Sequence, residues 1–212
     1  MRFIVSTSIL LKQLQAVNGA SSSSTVLPIL ENFLFEIKDG ILTISATDLQ
    51  TSMTTSLPVE SKEDGKVAIP SKILLETLKT LPDQPISFSV DDATFSIEIS
   101  AGDGKYKLSG ENGEDFPKIP VVENASSVNM QASVLSEAIN KTLFAVSNDE
   151  LRPAMTGVFC QLSPEHVTFV ATDAHKLVRY RRKDAKSESA TTFILPKKAL
   201  TLLKSLLVTR MA

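Results

Sequence analysis

The residues that could perform acid–base chemistry are few in this sequence. His175 follows Asp173 by two positions, which suggests an Asp–His pair that could activate a nucleophile. The two residues are adjacent along a turn or strand, however, and no serine or cysteine nucleophile accompanies them. Ala-Thr-Asp also occurs at 46–48 with no histidine after it, so we interpret the motif as a turn in which Asp bonds its own backbone. We therefore predict that the protein is not an enzyme; a hydrolase using this pair is one alternative.

The sequence also lacks the residues that a metal site or a cofactor site would need. Cys160 is the only cysteine and is predicted to be a core residue, whereas His166 lies in a predicted hairpin turn. These residues and His175 form no metal cluster, and no glycine-rich loop precedes a Gly-Lys-Ser/Thr motif. We predict no metal and no cofactor. A lone cysteine, the lack of any long apolar run and the lack of a signal peptide favour a cytoplasmic protein without membrane contact.

Charge is distributed unevenly along the chain. Four segments have the apolar spacing of amphipathic helices: 8–18, 71–81, 133–145 and 197–207. They hold seven lysines against two glutamates, a net charge of +5, whereas the rest of the chain carries −7. Helices that share one surface would attract phosphates there, although lysines are also common on solvated helix faces. No recognition helix, zinc spacing or aromatic platform is present, so any contact with DNA should be to its backbone.

The elements that position these residues follow from periodicity, which predicts an α+β fold of β-α-β-β-β units. Ser8 is the predicted N-cap of the first helix, and 38–40 is a predicted hairpin turn. The predicted strands are 2–6, 30–37, 41–46, 52–59, 67–70, 86–90, 94–100 and 105–109.

The chain also repeats itself. A shift of 125 positions aligns Phe33-Leu34-Phe35 with Val158-Phe159-Cys160 and 46–48 with 171–173; after one inserted residue, 68–72 aligns with 194–198. Few residues are identical, but the apolar positions correspond throughout, which indicates a duplicated fold. We predict a first domain over 1–122 and a second over 123–212, with the turn-rich stretch from 113 to 127 as a linker. The second repeat ends before its last three strands, so we expect a fragment.

Several motifs resemble bacterial DNA sliding clamps, the beta subunit of DNA polymerase III. The matching residues are Leu27-Pro28-Ile29-Leu30 with Asn32, Thr47-Asp48-Leu49, Asp115-Phe116-Pro117, Arg152 with Gly157, and Thr172-Asp173-Ala174-His175-Lys176-Leu177. Each motif is weak alone, but together they cover nearly the whole chain in the right order. The resemblance implies three repeats per subunit, of which the third is absent here, and a head-to-tail homodimer ring with sheets outside and helices lining a DNA channel.

The resemblance also implies a function and its sites. The family is a processivity factor that encircles double-stranded DNA without sequence specificity and tethers the polymerase catalytic subunit during replication. By position, the DNA-facing candidates are Lys12, Lys72, Lys79, Lys141, Lys197 and Lys198. The family's sheets form an acidic exterior.

Partners of the family, including the polymerase and the clamp loader, bind through short peptides. The matching part of the peptide pocket here is Met155, Thr172, Ala174, His175, Lys176 and Leu177. The family's subunit contact corresponds to the strand edge with Lys105, Tyr106 and Leu108. A protein-interaction scaffold built from the same repeat, without a DNA ring, is the second alternative.

Overall fold

A computed structural model describes residues 1–21, 27–120, 129–188 and 190–211, with only the backbone for 208–211. The chain divides into two compact units, Met1–Val121 and Val122–Ala212, here called unit 1 and unit 2.

Unit 1 consists of two antiparallel five-stranded sheets and two helices. Its strands are β1 (Arg2–Ser6), β2 (Asn32–Lys38), β3 (Ile41–Thr47), β4 (Ser52–Pro58), β5 (Glu60–Ser61), β6 (Gly65–Pro70), β7 (Pro85–Val90), β8 (Ser96–Ala101), β9 (Gly104–Ser109) and β10 (Glu111–Asn112). One sheet has the order β5-β1-β7-β8-β9 and the other β10-β6-β2-β3-β4. The helices are α1 (Thr7–Val17) and α2 (Ser71–Thr80).

Three phenylalanines join the two sheets of unit 1. Phe3 and Phe88 lie opposite each other on β1 and β7, and their rings stack with centroids 4.6 Å apart. Phe35 of the other sheet lies 6.3 Å from each of these rings. All three side chains are buried, because alternate residues of each strand point to the same side of the sheet. The core of unit 1 is therefore formed by the inner faces of both sheets.

The helices cover this core with one face each. In α1, Leu10, Leu14 and Val17 recur at helical spacing and are buried, while Lys12 between them is exposed. In α2, Leu74 and Leu78 are buried in the same way. The two helices contact each other, so their polar faces form one surface.

Unit 2 also consists of an antiparallel sheet with two helices packed on one face. Its elements are α3 (Ala132–Thr142), β11 (Gly157–Leu162), β12 (Val167–Thr172), β13 (Leu177–Arg182), β14 (Thr191–Pro196) and α4 (Lys197–Met211). The four strands form an antiparallel sheet of order β13-β12-β11-β14, which packs through Cys160 and Phe169 against Ile139 of α3 and Leu200 of α4. A shift of 125 or 126 places α1, β2, β3, β4, β6 and α2 on α3, β11, β12, β13, β14 and α4. The predicted repeat and the α+β fold are confirmed.

Three predicted helix ends were wrong, and one of them is the end of the fourth helix, which was predicted at 207 but lies at Met211. The first helix begins at Thr7, and Ser8 is not its N-cap. Instead Asp83, which is distant in sequence, accepts hydrogen bonds from the Ser8 backbone N–H (3.2 Å) and the Ser6 hydroxyl (2.9 Å), so the cap comes from tertiary structure. The third helix ends at Thr142, whose hydroxyl donates to the Ala138 carbonyl, and Leu143–Ala145 forms a 3₁₀ turn.

The predicted linker was partly wrong too. Gly113–Asp115 forms a 3₁₀ turn, and Phe116 after it is buried against Leu34 and Ala68 of unit 1. Residues 110–120 therefore belong to the folded unit. Residues 121–127, the rest of the predicted linker, lie outside the described residues.

Candidate nucleic-acid interface

The helical face of unit 1 presents three of the predicted DNA-facing lysines. Lys12 lies on α1, Lys72 and Lys79 lie on α2, and all three are exposed. Among the described residues, no carboxylate lies within 4.0 Å of these ammonium groups. Unpaired charges on neighbouring helices add their fields, so this face has a positive potential that attracts phosphate groups.

The helical face of unit 2 has the same character. Lys141 on α3 and Lys198 on α4 are exposed, while Lys197 and Lys204 are partly buried. The Lys197 ammonium, at the start of α4, donates to the Asn148 side-chain oxygen at 2.6 Å, which fixes its position. Asn148 is a positioning residue that the sequence analysis missed, and no local pattern marks it.

An open cavity of about 570 Å³ lies within unit 2 beside these lysines. Its apolar floor includes Ile139 and Leu143, and Lys176, Lys197 and Lys204 stand around it. Asp173 also lines the cavity and pairs with Lys176, so the four charged side chains leave an excess of positive charge that favours an anionic ligand. Lys204 was counted among the helical lysines but not proposed as DNA-facing, although it lines the same cavity as Lys197 on α4.

Five of the six residues proposed for a partner pocket lie at one tight turn between β12 and β13, and the sixth, Met155, lies before β11. The Asp173 carboxylate accepts from the backbone N–H groups of His175 (3.1 Å) and Lys176 (2.9 Å), and the Thr172 hydroxyl donates to the Lys176 carbonyl (2.8 Å). Ala174 has a φ of +76°, the left-handed conformation that such a turn requires.

Unit 1 contains the same turn. Asp48 accepts from the backbone N–H groups of Gln50 (3.0 Å) and Thr51 (2.6 Å), Thr47 donates to the Thr51 carbonyl, and Leu49 has a φ of +73°. The duplicated Ala-Thr-Asp motif is a backbone-bonding turn, which confirms our interpretation of it.

The turn leaves several side chains available to a partner. His175, Lys176 and Leu177 are exposed, and Leu177 has 68% of its surface in solvent. Met155 is partly buried in the 3₁₀ turn Pro153–Met155. An exposed leucine beside a cation and an imidazole can contact a short peptide that has apolar and acidic residues.

The contacts of the Asp173 carboxylate stabilise the turn and do not favour acid–base chemistry. It forms an ion pair with the Lys176 ammonium, and this bond together with the Lys176 backbone N–H holds the pKa of the carboxyl well below its usual range. A carboxylate that accepts three hydrogen bonds is a poor base for the imidazole of His175. Burial raises the pKa of the Cys160 thiol to about 11, as expected for a core cysteine.

The strand proposed as a subunit contact lies at a sheet edge. Lys105, Tyr106 and Leu108 are on β9, the last strand of its sheet, where Lys105 is exposed and pairs with Glu98 at 3.0 Å. Tyr106 and Leu108 pack on the core of unit 1. An edge strand offers unpaired backbone groups to another strand.

The outer face of the unit 2 sheet departs from the expected acidic exterior. On β13, Arg179 and Arg181 lie on this face and are exposed, whereas Arg182 lies on the other face, opposite the buried Val167. Arg182 bonds Glu137, Asp184 and Tyr180, whereas Arg181 bonds only the Thr168 hydroxyl (3.3 Å) among the described residues. The expectation of an acidic exterior was wrong for this strand.

Both units of the chain match domains of one known protein family. Residues 1–120 match the profile described as DNA polymerase III beta subunit, N-terminal domain, and residues 129–211 match that subunit's central domain. The chain belongs to the family of bacterial sliding clamps. The two family domains match the two units of the structure, and the boundary between them lies near residue 121.

Known proteins of the sliding-clamp family are similar over nearly all of this chain. A beta sliding clamp of Synechococcus elongatus is 31% identical over 93% of this chain and 53% of its own length. One of Halalkalibacterium halodurans is 29% identical over 98% of this chain and 57% of its own length. The chain therefore spans about half the length of the curated relatives it matches.

Solved structures of sliding clamps have the same fold. The DNA polymerase sliding clamp of Bacillus subtilis superposes with a TM-score of 0.90 at 26% identity, covering 97% of this chain and 56% of its own. The beta subunit of Pseudomonas aeruginosa gives 0.87 at 29% identity, with 98% and 56% coverage.

The described residues contain neither a candidate membrane span nor a candidate metal cluster. No helix there has the length and apolarity needed to span a membrane. Nor do three or more His, Cys, Asp or Glu side chains converge there in a way that could hold a metal ion.

Proposed function

We propose that this chain is part of a ring-forming sliding clamp that encircles duplex DNA and keeps a replicative polymerase on its template. The observation that carries the proposal is the match of both units, in order, to two consecutive domains of the DNA polymerase III beta subunit. In this role the protein is a cytoplasmic accessory subunit, not an enzyme, and needs no cofactor or metal.

The positive charges on the helices are favourable for a ring that encloses DNA. Lys12, Lys72 and Lys79 of unit 1, together with Lys141, Lys197 and Lys198 of unit 2, stand on helical faces where phosphates can approach. Contacts of this kind are independent of base sequence and individually weak, so a ring that holds DNA by enclosure can still slide along it.

The turn between β12 and β13 suits the binding of partner peptides. Its backbone is fixed by Thr172 and Asp173, so Ala174, His175, Lys176 and Leu177 need little ordering when a peptide binds. Met155 borders the same region in the family. We propose that the polymerase catalytic subunit and the clamp loader bind here through short peptides.

Ring closure is proposed to use the β9 edge. Lys105, Tyr106 and Leu108 would meet an edge strand of a second subunit in a head-to-tail homodimer.

The test uses a protein of the relatives' full length that contains this chain. It is loaded by its clamp loader onto nicked circular DNA, the circle is then cut at one site, and retention is followed by gel filtration. Retention on the circle and release from the linear molecule support a topological clamp.

Two other outcomes would reject the proposal. Equal retention on both forms means ordinary DNA binding. No retention on either form, with polymerase still bound, means a protein-interaction scaffold. A hydrolase predicts turnover that is lost on the substitution His175→Ala, which a clamp does not.

A further inference from the structure

The outer face of the unit 2 sheet carries a positively charged row of side chains that begins at the proposed peptide site. Leu177, Arg179 and Arg181 are alternate residues of β13, so they share one face and follow one another at about 7 Å. All three are exposed, whereas Val178 and Tyr180 between them pack on the core from the other face. We call Leu177, Arg179 and Arg181 the β13 row.

Nearby carboxylates do not neutralise the charge of the β13 row. Glu137 and Asp184 both form ion pairs with Arg182, which lies on the other face of the sheet. Among the described residues, no carboxylate lies within 4.0 Å of Arg179 or Arg181. The row therefore presents a local excess of positive charge to solvent.

The repeat identifies the corresponding row in unit 1. A shift of 125 places Ser52, Thr54 and Ser56 of β4 on the three positions of the β13 row, and these residues are exposed as well. Unit 1 also contains β7, β8 and β9 after its second helix, so the strands that follow the second helix of a repeat do not cover this row.

The two rows differ in chemistry although they occupy the same place in the fold. Each hydroxyl of the unit 1 row bonds a hydroxyl of β3, at 2.8, 3.1 and 3.2 Å. That row is neutral, and its polar groups are satisfied across the strands. The cationic row occurs only in unit 2, beside the turn that is proposed to bind peptides.

We propose that the β13 row extends the peptide site of unit 2 and binds an acidic, extended segment of the partner protein. An apolar residue of the partner contacts Leu177, and acidic residues at every second position beyond it pair with Arg179 and Arg181. Alternate side chains of an extended polypeptide also repeat at about 7 Å, which matches the spacing of the row. This inference rests on the proposed function, because Leu177 belongs to the proposed peptide site.

The composition of this face favours a polypeptide over a nucleic-acid strand. Guanidinium groups bind carboxylates and phosphates equally well in geometry, but Leu177 needs an apolar group that a sugar–phosphate backbone does not offer. The outer face of β12 beside the row carries Thr168, Val170 and Thr172. Among the described residues of β12 and β13, no aromatic side chain lies on this face to stack with a base.

The experiment compares two fluorescein-labelled peptides by anisotropy during titration with the 212-residue chain. One peptide has two leucines followed by three glutamates separated by single serines, and the other has glutamine in place of glutamate. We expect the acidic peptide to bind about fivefold more tightly at about 0.05 M salt, because exposed charge pairs contribute modestly. The difference should shrink at about 0.5 M salt, where such pairs are screened.

Substitutions in the chain locate this effect. Arg179→Gln combined with Arg181→Gln should abolish the difference between the two peptides. The matched control combines Lys38→Gln with Lys62→Gln, which removes the same charge from exposed positions of unit 1 and should change the difference by less than about twofold.

Charge reversal separates a direct contact from damage to the fold. A chain with Arg179→Glu and Arg181→Glu should bind a third peptide, with lysine in place of glutamate, more tightly than it binds the acidic one. A misfolded chain would lose both peptides. Loss of both, with a circular dichroism spectrum like that of the parent, would contradict the proposed contact.

The remaining outcomes separate this inference from the peptide site on which it rests. If Leu177→Ala weakens both original peptides but the acidic and neutral ones bind the parent equally, only the inference about the row is wrong. If Leu177→Ala changes neither affinity, the proposed peptide site fails and the inference fails with it. A labelled oligothymidine whose binding is weakened by Arg179→Gln and Arg181→Gln more than that of the acidic peptide would assign the row to nucleic acid and also overturn the proposal.

Discussion

Replacing the helical lysines of unit 1 tests whether the helical face or net charge alone attracts DNA. The substitutions are Lys12→Ala, Lys72→Ala and Lys79→Ala, all at exposed helix positions without an ion pair among the described residues. The matched control replaces Lys38, Lys62 and Lys118, three exposed lysines of the same unit that lie outside its helices. Both variants lose three positive charges, so they differ only in where the charge is removed.

The magnitude follows from counterion release. Each lysine that neutralises a phosphate contributes about −0.9 to the slope of log K against log salt concentration, and three contacts contribute about −2.7. A fourfold rise in salt weakens binding about 3.5-fold for each contact. We expect the helix variant to lose between about 1 and 2.7 of slope, depending on how many lysines meet phosphates at once. The control should lose less than about 0.5.

The assay is fluorescence anisotropy of a labelled short duplex, titrated with chain at several low salt concentrations. A duplex of scrambled sequence should give the same affinity, because the contacts are to the DNA backbone. Equal slope losses for the two variants would refute the reasoning, since the effect would then follow net charge and not the helical face.

Further predictions concern the core and the turn. Phe88→Ala should lower the free energy of unfolding of unit 1 by about 3–5 kcal/mol and Phe88→Leu by no more than about 1.5 kcal/mol in urea denaturation, because leucine keeps most of the buried volume. Equal losses would contradict the stacked packing. The Asp173 carboxyl should titrate below its ordinary range in carbon-13 NMR, and Lys176→Ala should raise its pKa. Because the folded pKa is depressed, the turn's stabilisation is present above the ordinary carboxyl pKa and is lost as pH falls through the folded value; an unshifted carboxyl would contradict the ion pair. Cys160 should react with a disulfide reagent at about pH 8 only after unfolding, because the thiol is buried. Rapid reaction of the native chain would show that the unit 2 core is open.

Sequence patterns were enough to predict those elements whose conformation depends mainly on residues near one another in the chain. The spacing of Leu10, Leu14 and Val17 requires one apolar helix face, and strand alternation assigns Phe33, Phe35 and Ile37 to one side of β2. The turn at Thr172 and Asp173 was also predictable, because a short acidic side chain bonds backbone groups two and three residues ahead wherever the sequence places it.

The predictions that failed depended on residues far apart in sequence. Asp83 caps α1 from 75 positions away, so the local rule that favoured Ser8 could not give the right helix start. Phe116 was read as part of a linker because Gly and Pro surround it, yet it fills a site formed by β2 and β6. The Asn148–Lys197 contact has no signal in the sequence, since it joins residues 49 positions apart.

The sequence by itself determined the repeat, the amphipathic helices, the tight turns and the excess of lysine on helices, because each depends on residues within a few positions of one another. Only the tertiary structure decided that Asn148 holds Lys197, that Asp83 caps the first helix, and that Phe116 is buried against Leu34 and Ala68. The physical reason is that burial and pairing are properties of contacts across the fold, which join residues far apart in the sequence.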